Sequence, residues 1–152
     1  MSDELTVRLA VKQDAINLIH FNQAMAKETE NKVLVPELIQ AGVNGLLENP
    51  SRGFYVVADV GGEVVGSLMV TMEWSDWRNG VFWWIQSVYI LPSYRRQGIY
   101  RKLYSFVKTL ASEDSNVCGF RLYVEKNNLQ AQRTYESLGM KETEYNMYEE
   151  IK

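Results

Sequence analysis

The spacing of apolar and polar positions changes period several times along this 152-residue chain. "LTVRLA" alternates and predicts a short first strand. "VKQDAINLIHFNQAMAKETE" carries Ile16, Ile19, Gln23 and Ala26 at helical spacing and predicts a first helix, with acidic residues gathered at the end a helix dipole disfavours. "VPELIQAGVNGLLENP" predicts a second helix that opens on Pro36 and stops at Asn49-Pro50. "GFYVVADV", a Gly-Gly turn and "EVVGSLMVTMEW" predict a hairpin, and "SDWRNG" the turn after it.

"VFWWIQSVYIL" is apolar on both faces, as a central strand must be. A helix from about Arg95 to Ser112 follows, with Ile99, Leu103, Phe106, Val107 and Leu110 as its apolar stripe. "CGFRLYVEK" reads as a fifth strand. "NLQAQRTYESLGM" reads as a short helix stopped by Gly139, and "KETEYNMYEEI" as one or two closing strands. The pattern predicts an α/β fold: a mixed, mostly antiparallel sheet of six or seven strands with helices on both faces. No linker is evident, so residues 1–152 are expected to form a single domain.

Composition narrows the function. With 16 Lys+Arg against 19 Asp+Glu the net charge is −3, which argues against a nucleic-acid partner. The single Cys118 excludes an internal disulfide and multi-cysteine metal sites, and no metal is expected. No apolar run approaches the ~18 residues of a membrane span, and no signal core opens the chain, so a soluble cytoplasmic protein without a membrane partner is expected.

Arg95, Arg96 and Gly98 stand where a strand gives way to a helix. A helix start presents unpaired N–H groups and the positive end of the macrodipole. A glycine there admits close approach, and arginines add bidentate donors, so the set describes an anion site suited to phosphates. A solvated basic helix start is equally consistent with these residues. The P-loop and Rossmann glycine patterns are absent.

"SVYILPSYRRQGIYRKLY" resembles the acyl-CoA-binding signature of the GNAT superfamily of N-acetyltransferases, an Arg/Gln-x-x-Gly-x-Gly/Ala turn between strand and helix, with Arg95, Gly98 and Tyr100 at its positions. "NNLQAQRTYESLGM" resembles the second hallmark, through Asn128, Ala131, Tyr135, Gly139 and Met140. More loosely, the stretch from Trp74 to Tyr89 is similar to diamine and thialysine acetyltransferases.

The resemblance implies acetyl-CoA as acyl donor, bound by Val88, Ile90, Arg95, Arg96, Gln97, Gly98, Tyr100, Arg101, Asn128 and Tyr135. It implies an oxyanion-binding N–H near Val88 and Ile90. Two departures stand out. Tyr100 replaces the usual Gly or Ala, so its ring must turn away from the phosphates or the cradle changes shape. Gln86 replaces a common Glu and cannot act as a base.

Acetyl transfer to an amine requires a neutral nucleophile, oxyanion donors and a proton for the departing thiolate. Deprotonating a Lys-like amine at pH 7 costs roughly 4–5 kcal/mol. Tyr135 is the candidate proton donor, a core tyrosine being its structural alternative. Glu28 and Glu73 are candidate bases. Glu28, Glu30, Trp74, Asp76, Trp84 and Gln86 are candidates for the acceptor pocket, where tryptophan offers cation–π contact to an amine. Each carboxylate has a solvated surface role as its alternative, and each tryptophan a core role. Trp83 and Trp84 point to opposite faces of their strand, so at most one lines a given cleft. His20 and Cys118 are not expected to take part, which favours direct transfer in a ternary complex. The expected partner is a small polyamine- or amino-acid-like amine, with a homodimer as the assembly. A catalytically weak acyl-CoA-binding module and a protein N-acetyltransferase are the rival readings.

Overall fold

The computed structural model describes residues 4–152. They divide into two compact units, a larger one ending at Leu122 and a smaller one from Tyr123 to Lys152.

The larger unit holds a five-stranded sheet: β1 (Leu5–Leu9), β2 (Gly53–Val60), β3 (Glu63–Ser75), β4 (Gly80–Ile90) and β5 (Val117–Arg121), in that spatial order. Neighbours run antiparallel except β4 and β5, which are parallel. β4 therefore has a strand on each side, as its two-faced apolar pattern requires. Helices α1 (Ala15–Glu30), α2 (Pro36–Leu47) and α3 (Ile99–Ser112) complete this unit.

Alternate residues of the strands feed two cores. Tyr55, Val57 and Tyr89 meet Leu18 and Phe21 of α1 and Val43 and Leu46 of α2. Val56 and Ala58, pointing the other way, are fully buried too, and α3 packs on the sheet through Ile99, Leu103, Tyr104 and Val107. The α3 stripe matches expectation, with Tyr104 buried in addition and Phe106 and Leu110 only partly covered. The α1 stripe does not. Its buried residues are Leu18, Phe21 and Ala26, while Ile16 is 66% exposed. Apolar residues lie around much of this helix, so spacing alone does not single out the face that the sheet takes.

Among the described residues the sheet has five strands, not six or seven. In the smaller unit, α4 (Leu129–Ser137) forms as predicted, with the Asn128 side chain accepting from the Ala131 N–H at 3.1 Å as its N-cap and Gly139 left-handed (φ 100°) just beyond. The closing strands expected in "KETEYNMYEEI" do not form: residues 141–152 have no regular secondary structure. Alternating residues create a strand preference, but a strand exists only with a hydrogen-bonded partner.

Candidate active site

β4 carries the site. Its register with β3 passes from Met69↔Gln86 to Ser67↔Tyr89, so three steps on β4 match two on β3. Ser87 occupies the left-handed region (φ 51°) at this bulge. A bulge bends a strand and re-aims its side chains. Here it puts Gln86 and Tyr89 on one face, although they are an odd number of residues apart. Parallel pairing with β5 has already stopped at Trp84↔Arg121. Among the described residues, the β5-side edge of β4 from Ile85 onward therefore has no strand beside it. The open edge includes Val88 and Ile90, the residues expected to supply an oxyanion N–H.

The chain then turns through Pro92–Tyr94 into α3. Arg96 (φ 64°) and Gly98 (φ 75°) are both left-handed. Alternating backbone handedness of this kind turns successive N–H groups into an anion-binding concavity. Gly98 is the N-cap of α3, and no described side chain caps that end. A Cβ on Gly98 would meet no atom within 4 Å, so the space above the turn is open. Glycine is needed there for its φ and for approach to the backbone, not for packing. Arg96 and Arg101 are exposed beside it. Helix start, open turn and free-standing cations fit a phosphate-bearing donor. Tyr100, at the position where the signature usually has Gly or Ala, stacks on Tyr104 (centroids 6.2 Å, 6° between planes).

Arg95 is placed differently from the sequence expectation. Its Nε donates to the Ile90 carbonyl at 2.9 Å and its Nη2 to Glu28 Oε2 at 2.9 Å, and the guanidinium lies 5.3 Å from the Tyr89 ring centre. The Tyr89 hydroxyl donates to the other Glu28 oxygen at 2.9 Å. Gln97 donates back to the Ser93 carbonyl at 3.2 Å, within the turn. The hydrogen bond from Arg95, and then that from Tyr89, holds the Glu28 carboxyl below its usual range. A carboxylate held low is a weak proton acceptor, so Glu28 is poorly suited to the base role.

A second cluster lies on the same sheet face about 13 Å along β4, four residues of rise. Glu73 accepts from Trp84 Nε1 at 2.9 Å and from Arg121 Nη1 at 2.8 Å. The Trp84 hydrogen bond first, and Arg121 second, lowers its pKa as well. Gln86 donates to Thr71 Oγ1 at 2.9 Å. The structure thus gathers Glu73, a candidate base, with Trp84 and Gln86, two of the residues expected around the acceptor. It leaves the others apart: Trp74 is 61% exposed and its strand position faces away from Glu73, while Asp76 lies in the exposed β3–β4 turn and Glu30 at the exposed end of α1.

Sequence reasoning missed Arg121, Thr71 and Tyr89. Arg121 stacks 3.6 Å from the Phe82 ring centre and reaches Glu73 because β5 lies parallel to β4 in this register, which no local pattern announces. In the smaller unit, burial pushes the Tyr135 phenol above its ordinary pKa, so it carries its proton at neutral pH as any tyrosine does but gives it up less readily.

Fold, open helix start and bulged central strand together define an acyl-transfer scaffold, and similarity gives it a family. The profile described as "Acetyltransferase (GNAT) family" matches residues 16–140. A possible acetyltransferase from Clostridium difficile 630 is 47% identical, with a TM-score of 0.90 and 97% of each chain covered. Aminoglycoside N-acetyltransferase AAC(6')-Iy, solved with a CoA-linked bisubstrate analogue, shares the fold at 14% identity (TM-score 0.78; 98% of this chain and 99% of that one). So does an aminoglycoside acetyltransferase from an uncultured soil metagenomic sample, at 20% identity (TM-score 0.77; 97% of each). No curated protein matches the chain. The chain belongs to the GNAT family of acetyltransferases, and acetyl-CoA is its acyl donor.

Proposed function

We propose that this enzyme transfers the acetyl group of acetyl-CoA to the primary amine of a small polyamine- or amino-acid-like molecule, directly, in a ternary complex. The observation that carries the reading is the Glu73–Trp84–Gln86 cluster on an otherwise partly open sheet face, a short way along β4 from the bulge. An anionic group beside an indole suits a small ammonium ion. That two fold neighbours are aminoglycoside acetyltransferases, one of them solved with sisomicin, agrees with an amine-bearing small molecule.

Acetyl-CoA supplies a thioester-activated acetyl group. Its phosphates are assigned to the turn at Arg96, Gln97 and Gly98 and to Arg101, and its pantetheine arm to Asn128. Backbone N–H groups at Val88 and Ile90 receive the negative charge that develops on the carbonyl oxygen. Because both candidate bases are held low and Gln86 is neutral, the ammonium proton leaves through water, with Glu73 acting on the amine electrostatically. Tyr135 returns a proton to the thiolate. Residues 1–152 work as a single catalytic domain, in the cytoplasm, as a homodimer.

The test is release of CoA thiol across a panel of diamines, polyamines, amino acids, aminoglycosides and peptides. Release with a small amine, and a Glu73→Gln variant whose KM for that amine rises about tenfold or more, is the expected result. Release with peptides alone overturns the substrate class.

A further inference from the structure

Three elements meet at one arginine. Arg95 belongs to the turn between β4 and α3, Glu28 to the last turn of α1, and Tyr89 and Ile90 to the end of β4. The guanidinium bonds Glu28 and the Ile90 carbonyl, both at 2.9 Å, over the face of Tyr89, whose hydroxyl bonds Glu28 at 2.9 Å. Among the described residues, Arg95 is the one side chain of residues 91–98 that hydrogen-bonds outside that turn. The turn holds its remaining shape by bonds within itself, the backbone ones from Tyr94 to Leu91 at 2.8 Å and from Arg95 to Pro92 at 3.3 Å, and the Gln97 side chain on the Ser93 carbonyl at 3.2 Å.

We infer that Glu28, Tyr89 and Arg95 form a brace that positions the donor-binding turn, so that Arg95 acts on acetyl-CoA through the backbone and not as a phosphate ligand. Glu28 is then a positioning residue at the end of α1. The inference rests on the phosphate site being the turn before α3.

The two roles for Arg95 predict opposite signs. If Arg95 binds phosphate, Glu28 competes for the guanidinium and adds a repelling charge, and Glu28→Gln tightens acetyl-CoA. If the brace is real, Glu28→Gln loosens the turn and weakens acetyl-CoA, even though a negative charge near the phosphates has been removed. Arg95→Lys separates charge from geometry, since an ammonium keeps the charge but lacks the planar fork that bridges two acceptors.

The experiment measures acetyl-CoA Kd and melting temperature for Glu28→Gln, Arg95→Lys, the double variant and Gly98→Asp. Each brace variant is expected to weaken Kd about three- to tenfold, as for one half-exposed charge-assisted bond. The double variant should weaken it no further than either single one. Melting temperatures should hold within about 3 °C, because a half-exposed ion pair contributes little to stability. Tighter or unchanged binding in Glu28→Gln, or additive effects in the double variant, overturns the brace. Gly98→Asp, which places a carboxylate in the cradle, should abolish binding. If it binds normally, the phosphate site lies elsewhere and the brace falls with it. If it fails to bind while Glu28→Gln binds more tightly, the site stands and only the brace is overturned.

Discussion

At the scale of single residues, chemistry depends on what each side chain meets. Glu28 and Glu73 are ordinary acids in the sequence, yet each meets one arginine and one aromatic donor, and both lose basicity. Tyr135 changes in the opposite sense, since burial raises its pKa and makes it a weaker acid. Tyr135→Phe keeps the ring and removes only the hydroxyl. If that hydroxyl protonates the thiolate, turnover falls roughly 10²–10⁴-fold while acetyl-CoA affinity and melting temperature hardly move. The wild-type rate should decline only above about pH 10, where a tyrosine with a raised pKa begins to ionise, and the variant should lack that limb. Turnover near normal in the folded variant removes Tyr135 from the mechanism.

At the scale of elements, polar contacts settle how strands and helices are held together. Arg8 of β1 bonds Asp14, just ahead of α1, at 2.8 and 3.1 Å and Asp59 of β2 at 3.1 Å. Asp14 is buried, which by itself raises its pKa. The hydrogen bonds from Arg8 and the Val11 N–H outweigh that, and the net shift is downward. A depressed carboxylate contributes stability that is present above its unfolded pKa of about 3.9 and is lost as pH falls through the folded value. Asp14→Asn should therefore cost about 2 kcal/mol at pH 7, roughly 4–8 °C in melting temperature, because it leaves Arg8 short of a partner. The gap from wild type should narrow as pH falls below about 4, where the unfolded chain takes up a proton that the folded carboxylate still resists, and should close only below the depressed folded value. Thermal scans from pH 3 to 7 check this, and a gap that is constant with pH removes Asp14 as its source.

The same scale shows how far periodicity reaches. The α3 stripe was legible because its apolar residues share one side. The α1 stripe was misassigned because apolar residues such as Ile16 lie outside the face that the sheet covers. The bulge at Ser87 was not legible at all. Serine has no special claim to φ 51°, and the conformation is imposed by the register of β3 against β4.

At the scale of the whole molecule, the last residues bear on assembly. Tyr145, Met147, Tyr148 and Ile151 are exposed, Tyr148 to 92%, in a segment read as strand from its sequence that has no regular secondary structure. Unpaired strand-like segments are templates for association, and two-fold dimers are the commonest closed assembly. Light scattering at high micromolar concentration should give the mass of two chains, and the mass of one chain would count against the dimer.

The sequence by itself determined the order of helices and strands, the central place of β4, the turn at Gly98 and the cap at Asn128. Each follows from interactions within a few residues: apolar period, backbone freedom without a Cβ, a side chain within reach of its own helix start. Tertiary structure alone decided that β5 lies parallel to β4 and brings Arg121 to Glu73, that Arg95 turns to Glu28 instead of standing free, and that residues 141–152 take no regular secondary structure. Those outcomes depend on groups as many as 67 positions apart along the chain, and local preference carries no record of which distant group arrives.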